Sequence, residues 1–120
     1  DRGMHVGLGS DVAAGSSLNM FAAMRQALQA SKMRWRIQDK TQKPLTLEEV
    51  FYMATRGGGE FFGKVGSFEP GYEFDAVVLA DSRLQSPEPL DIRSRLERLI
   101  WLGDEREVRA KYVKGVRPEL

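Results

Sequence analysis

The sequence predicts an α/β chain, and three observations predict it. A short run of apolar residues and glycine, "HVGLGS" at residues 5–10, is followed by a small-residue loop and then by a long stretch with helical apolar spacing. "TLEE" at residues 46–49 is a capping box, the mark of a helix start. "EVRAKYVKG" near the end alternates apolar and charged residues, as a strand with one wet face does.

Residues 5–10 read as a strand of the kind buried on both faces in parallel sheets. The loop "AAGSS" leads into a helix expected over residues 17–32, with Ser16 or Ser17 as its cap. Leu18, Phe21, Ala22 and Leu28 fall at helical spacing, and Met20 and Met24 widen the apolar stripe. Strand, loop and helix in this order make a βα unit. "QDKTQKP" is polar, ends in Pro44 and reads as a connection. The second helix is expected from Thr46 to about Gly57, with Val50, Phe51, Met53 and Ala54 on its apolar side. After Gly63 a Pro-Gly turn precedes a strand at residues 76–79. Asp91 is the expected cap of a third helix that carries Ile92, Leu96, Leu99 and Ile100 on one side and stops at Gly103. In the last strand Val108, Ala110 and Tyr112 face one way and Arg109 and Lys111 the other.

Composition narrows the function classes. The 120 residues are 42% hydrophobic, enough for a packed core and too much for a disordered tail. The net charge is +1 with both signs interspersed, which gives no electrostatic footprint for nucleic acid or a membrane surface. No apolar run is long enough for a transmembrane helix. Cysteine is absent, so thiolate metal sites are excluded and a cytoplasmic setting is expected. The chain opens on "DRGMH" without an initiator Met, and Gly3 looks like the stop of a helix whose body is missing. It therefore reads as a piece of a longer polypeptide.

The candidate for chemistry is Asp11, a lone carboxylate at the end of the first strand in "VGLGSDVAAG". A dinucleotide loop would need glycine where Val12 stands, and a P-loop would need Gly-Lys-Ser/Thr, so phosphate binding is set aside. Two readings stay open. Asp11 is a helix cap, or it is a site carboxylate at the strand end where αβ barrels place their chemistry. One carboxylate cannot hold a catalytic zinc, which takes three or more protein ligands. The single histidine, His5, starts the strand and reads as structural. Gly57, Gly58 and Gly59 look like a hinge or an anion loop, with close helix packing as the simpler reading. Phe51, Phe61, Phe62 and Phe68 read as core, because no basic stripe accompanies them as a base-stacking platform would require.

At this point four segments resemble a known family. "VGLGSDVAAGSSLNMFAAMRQA" is similar to the last barrel strand and following helix of the amidohydrolase superfamily, in its guanine deaminase branch. "FYMATRGGGEFFG", "VGSFEPGYEFDAVVL" and "LERLIWLGDEREVRAKYVKGV" resemble the family's later segments in the same order. The resemblance implies the last βα unit of a (β/α)8 barrel over residues 1–63. It implies a return to a small β-sandwich over residues 64–120, the whole being an incomplete fold on its own. It also implies the C-terminal part of a metal-dependent enzyme that hydrolyses guanine to xanthine and ammonia. Asp11 would lie beside the metal, hold the hydrolytic water and help move its proton; Ser10 and Val12 would line the pocket. The metal, zinc by resemblance, takes its histidines and the catalytic Glu from earlier strands that this sequence does not contain. This chain alone is therefore expected to bind no zinc and to be inactive. Expected partners are guanine, the remainder of the barrel, and a second copy, since an unpaired strand at residues 6–9 invites association into a dimer or higher oligomer. The rival readings are another amidohydrolase, such as a chlorohydrolase or a different nucleobase or nucleoside deaminase, and an interaction module without catalysis.

Overall fold

Asn19, not Ser16 or Ser17, starts the first helix, because its side-chain Oδ1 accepts from the Phe21 amide at 2.8 Å. The computed structural model describes residues 3–119. Helix α1 spans Met20–Ile37, so it begins later and runs further than the spacing predicts. Leu18 falls outside it and is exposed. Arg34 and Arg36 in the last turn suit the negative end of the helix dipole and support the extra turn.

Helix α2 is Leu47–Ala54, opened by the expected capping box between Thr46 and Glu49. It stops earlier than expected. Thr55 leaves helical geometry at φ −121° and ψ −97°, and its hydroxyl turns back to the Phe51 carbonyl at 2.7 Å. The chain restarts as a single turn, α3, at Arg56–Gly59 and closes in a 3₁₀ turn at Glu60–Phe62.

Strand β1 is Ala76–Leu79, and β2 is Val108–Tyr112. They pair antiparallel, with Ala76 opposite Tyr112 and Leu79 opposite Val108. The alternation of β2 is as expected: Ala110 is buried, and Arg109 and Lys111 are exposed. Between the strands lies α4, Ile92–Leu102, capped by Asp91 and stopped at Gly103. Its first residue, Ile92, is exposed rather than on the packed side, because only the later turns reach the core. A further 3₁₀ turn at Glu105–Glu107, capped by Asp104, leads into β2.

The core is Met24 and Leu28 from α1, Leu47 and Val50 from α2, and Ile100 from α4. Val50 and Ile100 are fully buried. Three helices thus meet on one apolar centre, and burying each such side chain contributes about 1.5–3 kcal/mol.

Two further expectations fail. Residues 5–10 form no strand; in this region the Leu8 amide donates to the Met53 carbonyl at 2.9 Å, at the end of α2. A parallel strand needs flanking strands, and the only sheet among the described residues is the β1–β2 pair. The phenylalanines are not core either. Phe61, Phe62 and Phe68 are 88%, 77% and 76% exposed, and Phe51 is also on the surface. Phe61 and Phe62 meet each other edge to face at 5.1 Å, and Phe68 leans on Phe74, so neither pair reaches the Val50–Ile100 centre. The architecture is mixed helix and strand, with the helices carrying the core.

Candidate functional site

Residues 4–10 approach Asp11 without regular secondary structure, with Gly7 and Leu8 laid on the α2–α3 junction. At Asp11 the backbone turns sharply. Asp11 adopts φ +46° and Ala13 φ +105°, left-handed values uncommon for residues other than glycine. Asp tolerates this region better than most side chains; Ala13 has no such excuse and stores strain. What holds the turn is the Asp11 carbonyl, which accepts from the Ala14 amide at 3.0 Å and the Gly15 amide at 2.5 Å. A Cβ on Gly15 would stand 1.9 Å from the Ser10 carbonyl oxygen, so the loop closes this tightly only with glycine there.

The Asp11 side chain is exposed, Val12 is 59% exposed and Ser10 is half-buried. With Asn19 capping α1, the cap reading of Asp11 falls away. A carboxylate presented by a strained, hydrogen-bonded loop can accept a proton or supply one oxygen to a cation.

His5 is elsewhere. Its imidazole is 84% exposed, with Nδ1 2.8 Å from Glu60 Oε2. It lines an open cleft of about 690 Å³ with Gly7, Leu8, Gly58 and Phe61, and Asp11 is not part of that lining. Tyr52 donates its hydroxyl to the other Glu60 oxygen at 2.9 Å. The Tyr52 hydroxyl and then the His5 ring favour the ionised carboxylate, so Glu60 is held below the usual carboxylate range. The same bond pushes the Tyr52 phenol up.

Among the described residues no group of three or more His, Cys, Asp or Glu side chains is placed to hold a metal ion. Asp11 is one hard oxygen donor, and the one imidazole is committed to Glu60. The described residues therefore do not by themselves fit a zinc ion.

The glycines at 57–59 pack closely. Gly57 and Gly59 are buried, and Gly58 meets Gly7. Sequence reasoning missed the Tyr52–Glu60–His5 chain of hydrogen bonds. Tyr52 and Glu60 are eight residues apart across a helix break, and His5 is 55 residues from Glu60, so no helical or strand period connects them. The Asn19 cap was legible in principle: a capping residue type directly preceding "MFAAM".

The Amidohydrolase family matches residues 1–117 of the chain. Human guanine deaminase is 38% identical over 121 residues, a match covering 92% of this chain and 26% of that enzyme. A crystal structure of guanine deaminase from C. acetobutylicum, with guanine bound in its active site, superposes with a TM-score of 0.90 at 50% identity, covering 96% of this chain and 27% of that one. The E. coli guanine deaminase structure gives a TM-score of 0.80 at 28% identity, covering 97% of this chain and 27% of that one. The chain thus spans about a quarter of the length of the relatives it matches. With its fold and nearly its whole length matched, the chain belongs to the amidohydrolase family.

Proposed function

We propose that this chain is the C-terminal part of a guanine deaminase, an enzyme that converts guanine and water to xanthine and ammonia. One observation carries the reading: the 0.90 TM-score at 50% identity to a guanine deaminase with guanine in its active site. Within that reading residues 1–63 close a barrel and residues 64–120 return to a small β-sandwich. The enzyme works in the cytoplasm, as a dimer or larger oligomer.

Asp11 is the catalytic carboxylate in this proposal. Water attacks the amino-bearing carbon of guanine, the Asp11 carboxylate accepts the proton that water loses, and the same proton leaves with ammonia. A positioned general base of this kind contributes about 10²–10⁴-fold. The exposed side chain and the strained loop support the assignment, because strain is retained where the surroundings over-determine it. Ser10 and Val12 flank Asp11 and line the pocket. The zinc expected for such an enzyme would need its histidine ligands from outside this chain, with Asp11 adding one oxygen.

The test is metal analysis after dialysis together with a guanine-to-xanthine assay. It is run on this chain alone and on the chain co-expressed with the remaining barrel. The expected result is no zinc and no xanthine from the chain alone, and both from the complete assembly. Stoichiometric zinc with xanthine formation by the chain alone, or a complete assembly that leaves guanine untouched, would overturn the proposal.

A further inference from the structure

The segment that carries Asp11 has no sheet partner among the described residues, yet its path is closely constrained. Three contacts set it, and all three come from residues 52–60. The Leu8 amide donates to the Met53 carbonyl at 2.9 Å. Gly7 lies directly on the α3 backbone: a Cβ added at Gly7 would stand 2.7 Å from Gly58 Cα and 3.3 Å from the Gly58 nitrogen. His5 is tied through Glu60 to the Tyr52 hydroxyl. Gly57 belongs to the same contact, since a Cβ there would meet the Tyr52 ring at 2.9 Å and the Val6 carbonyl at 3.1 Å.

From these contacts we infer that the Gly7–Gly58 backbone contact, braced by Tyr52–Glu60–His5, is a positioning device that sets where the Asp11 carboxylate stands. The inference rests on the assignment of Asp11 as proton acceptor. The physical reasoning is one of tolerance. Backbone against backbone has no side chain to give way, so an added methyl must move one of the two segments. The segment bearing Gly7 carries no fully buried residue, whereas α3 begins one residue after α2, which holds the buried Val50, so the Gly7 segment is the one that shifts. Asp11 follows Gly7 by four residues in an already strained turn, so the displacement reaches its carboxylate. A misplacement of about 1 Å in a reacting group can cost about 10²-fold in rate. The Gly57–Gly59 run, which sequence reasoning could assign to packing alone, thereby acquires a role in the reaction.

The experiment is a double-mutant cycle in the complete, metal-loaded enzyme, with steady-state kinetics on guanine. Its members are the parent, Gly7→Ala, Asp11→Asn and the double variant. Gly7→Ala is expected to lower kcat by roughly 10²-fold while KM stays within about twofold. In the Asp11→Asn background it is expected to cost no more than about twofold further, because the group it misplaces is already disabled. A Gly7→Ala enzyme at parental kcat, or a full additional loss in the Asp11→Asn background, would overturn the positioning role and leave the deaminase reading standing. Parental kcat in Asp11→Asn would overturn both. Should Gly7→Ala fail to fold, Glu60→Gln and Tyr52→Phe loosen the same brace without adding volume. Each is then expected to lower kcat several-fold in the parent and not in the Asp11→Asn background, and equal losses in both backgrounds would overturn the role.

Discussion

The Arg25 guanidinium stands 2.6 Å from the carbonyl oxygen of Ile100, tying the second turn of α1 to the last turn of α4 across 75 residues of chain. The same nitrogen lies 3.4 Å from the Gly103 carbonyl. A cation here meets the unpaired carbonyls and the negative end of the α4 dipole together. Arg25→Ala is expected to destabilise the protein by about 1.5–3 kcal/mol, the usual worth of a charged hydrogen bond. Arg25→Lys should recover only part, since the ammonium is a compact, more strongly hydrated charge on a shorter side chain and loses more on leaving water for these carbonyls. Urea unfolding of the three proteins checks both, and an Arg25→Ala midpoint equal to the parent's would remove the tie from the account.

Ile100 itself is fully buried where α1, α2 and α4 meet. Ile100→Ala should cost about 2–5 kcal/mol, and Ile100→Val about 0.5–1.5 kcal/mol. The same truncation at Ile92, which is 77% exposed although it begins the same helix, should change stability little. Thermal unfolding of the Ile92→Ala and Ile100→Ala pair measures the contrast directly.

The surface carboxylates set an acid limit. Arg95 holds Asp81 below the usual carboxylate range, and Arg93 does the same for Glu48, each through a 2.6 Å hydrogen bond. Asp104 is depressed likewise by Arg106. A carboxylate whose folded pKa lies below its unfolded value stabilises the fold above the unfolded value, about 4, and loses that contribution as pH falls through the folded one. Stability should therefore be flat from neutrality down to about pH 4 as far as these groups act, and fall below it. Exposure and salt screen all three, so the fall should shrink in high salt. Urea midpoints at successive pH values in low and high salt report it; stability that rose on acidification would contradict the assignment.

The parts of the fold legible in the sequence are those decided locally. Thr46 and Glu49 announce α2, Asp91 and Gly103 bracket α4, and the alternation of Val108 to Tyr112 places β2, because capping and strand periodicity act over a few residues. What local pattern could not supply depends on distant contacts. The run at residues 5–10 has strand composition, but strand formation needs neighbours, and here it lies on α2 and α3 instead. The phenylalanines at 61, 62 and 68 look like core by hydrophobicity alone, yet which apolar groups are covered is settled by α1, α2 and α4 packing on one another. Asp11 stood out because a carboxylate after "VGLGS" is out of keeping with the apolar run before it. Its left-handed backbone and the grip of Gly7 on Gly58 are properties of three dimensions that no spacing expresses.

The central claim is that Asp11 accepts the proton during deamination, and Asp11→Asn tests it most directly. The amide keeps the shape and the tolerance for left-handed backbone while removing the proton acceptor. Ammonia release from guanine should be measured for the complete enzyme and its Asp11→Asn variant at matched metal content. The account predicts a fall in kcat of about 10²–10⁴-fold with the fold intact. Turnover within a factor of about three of the parent would contradict it.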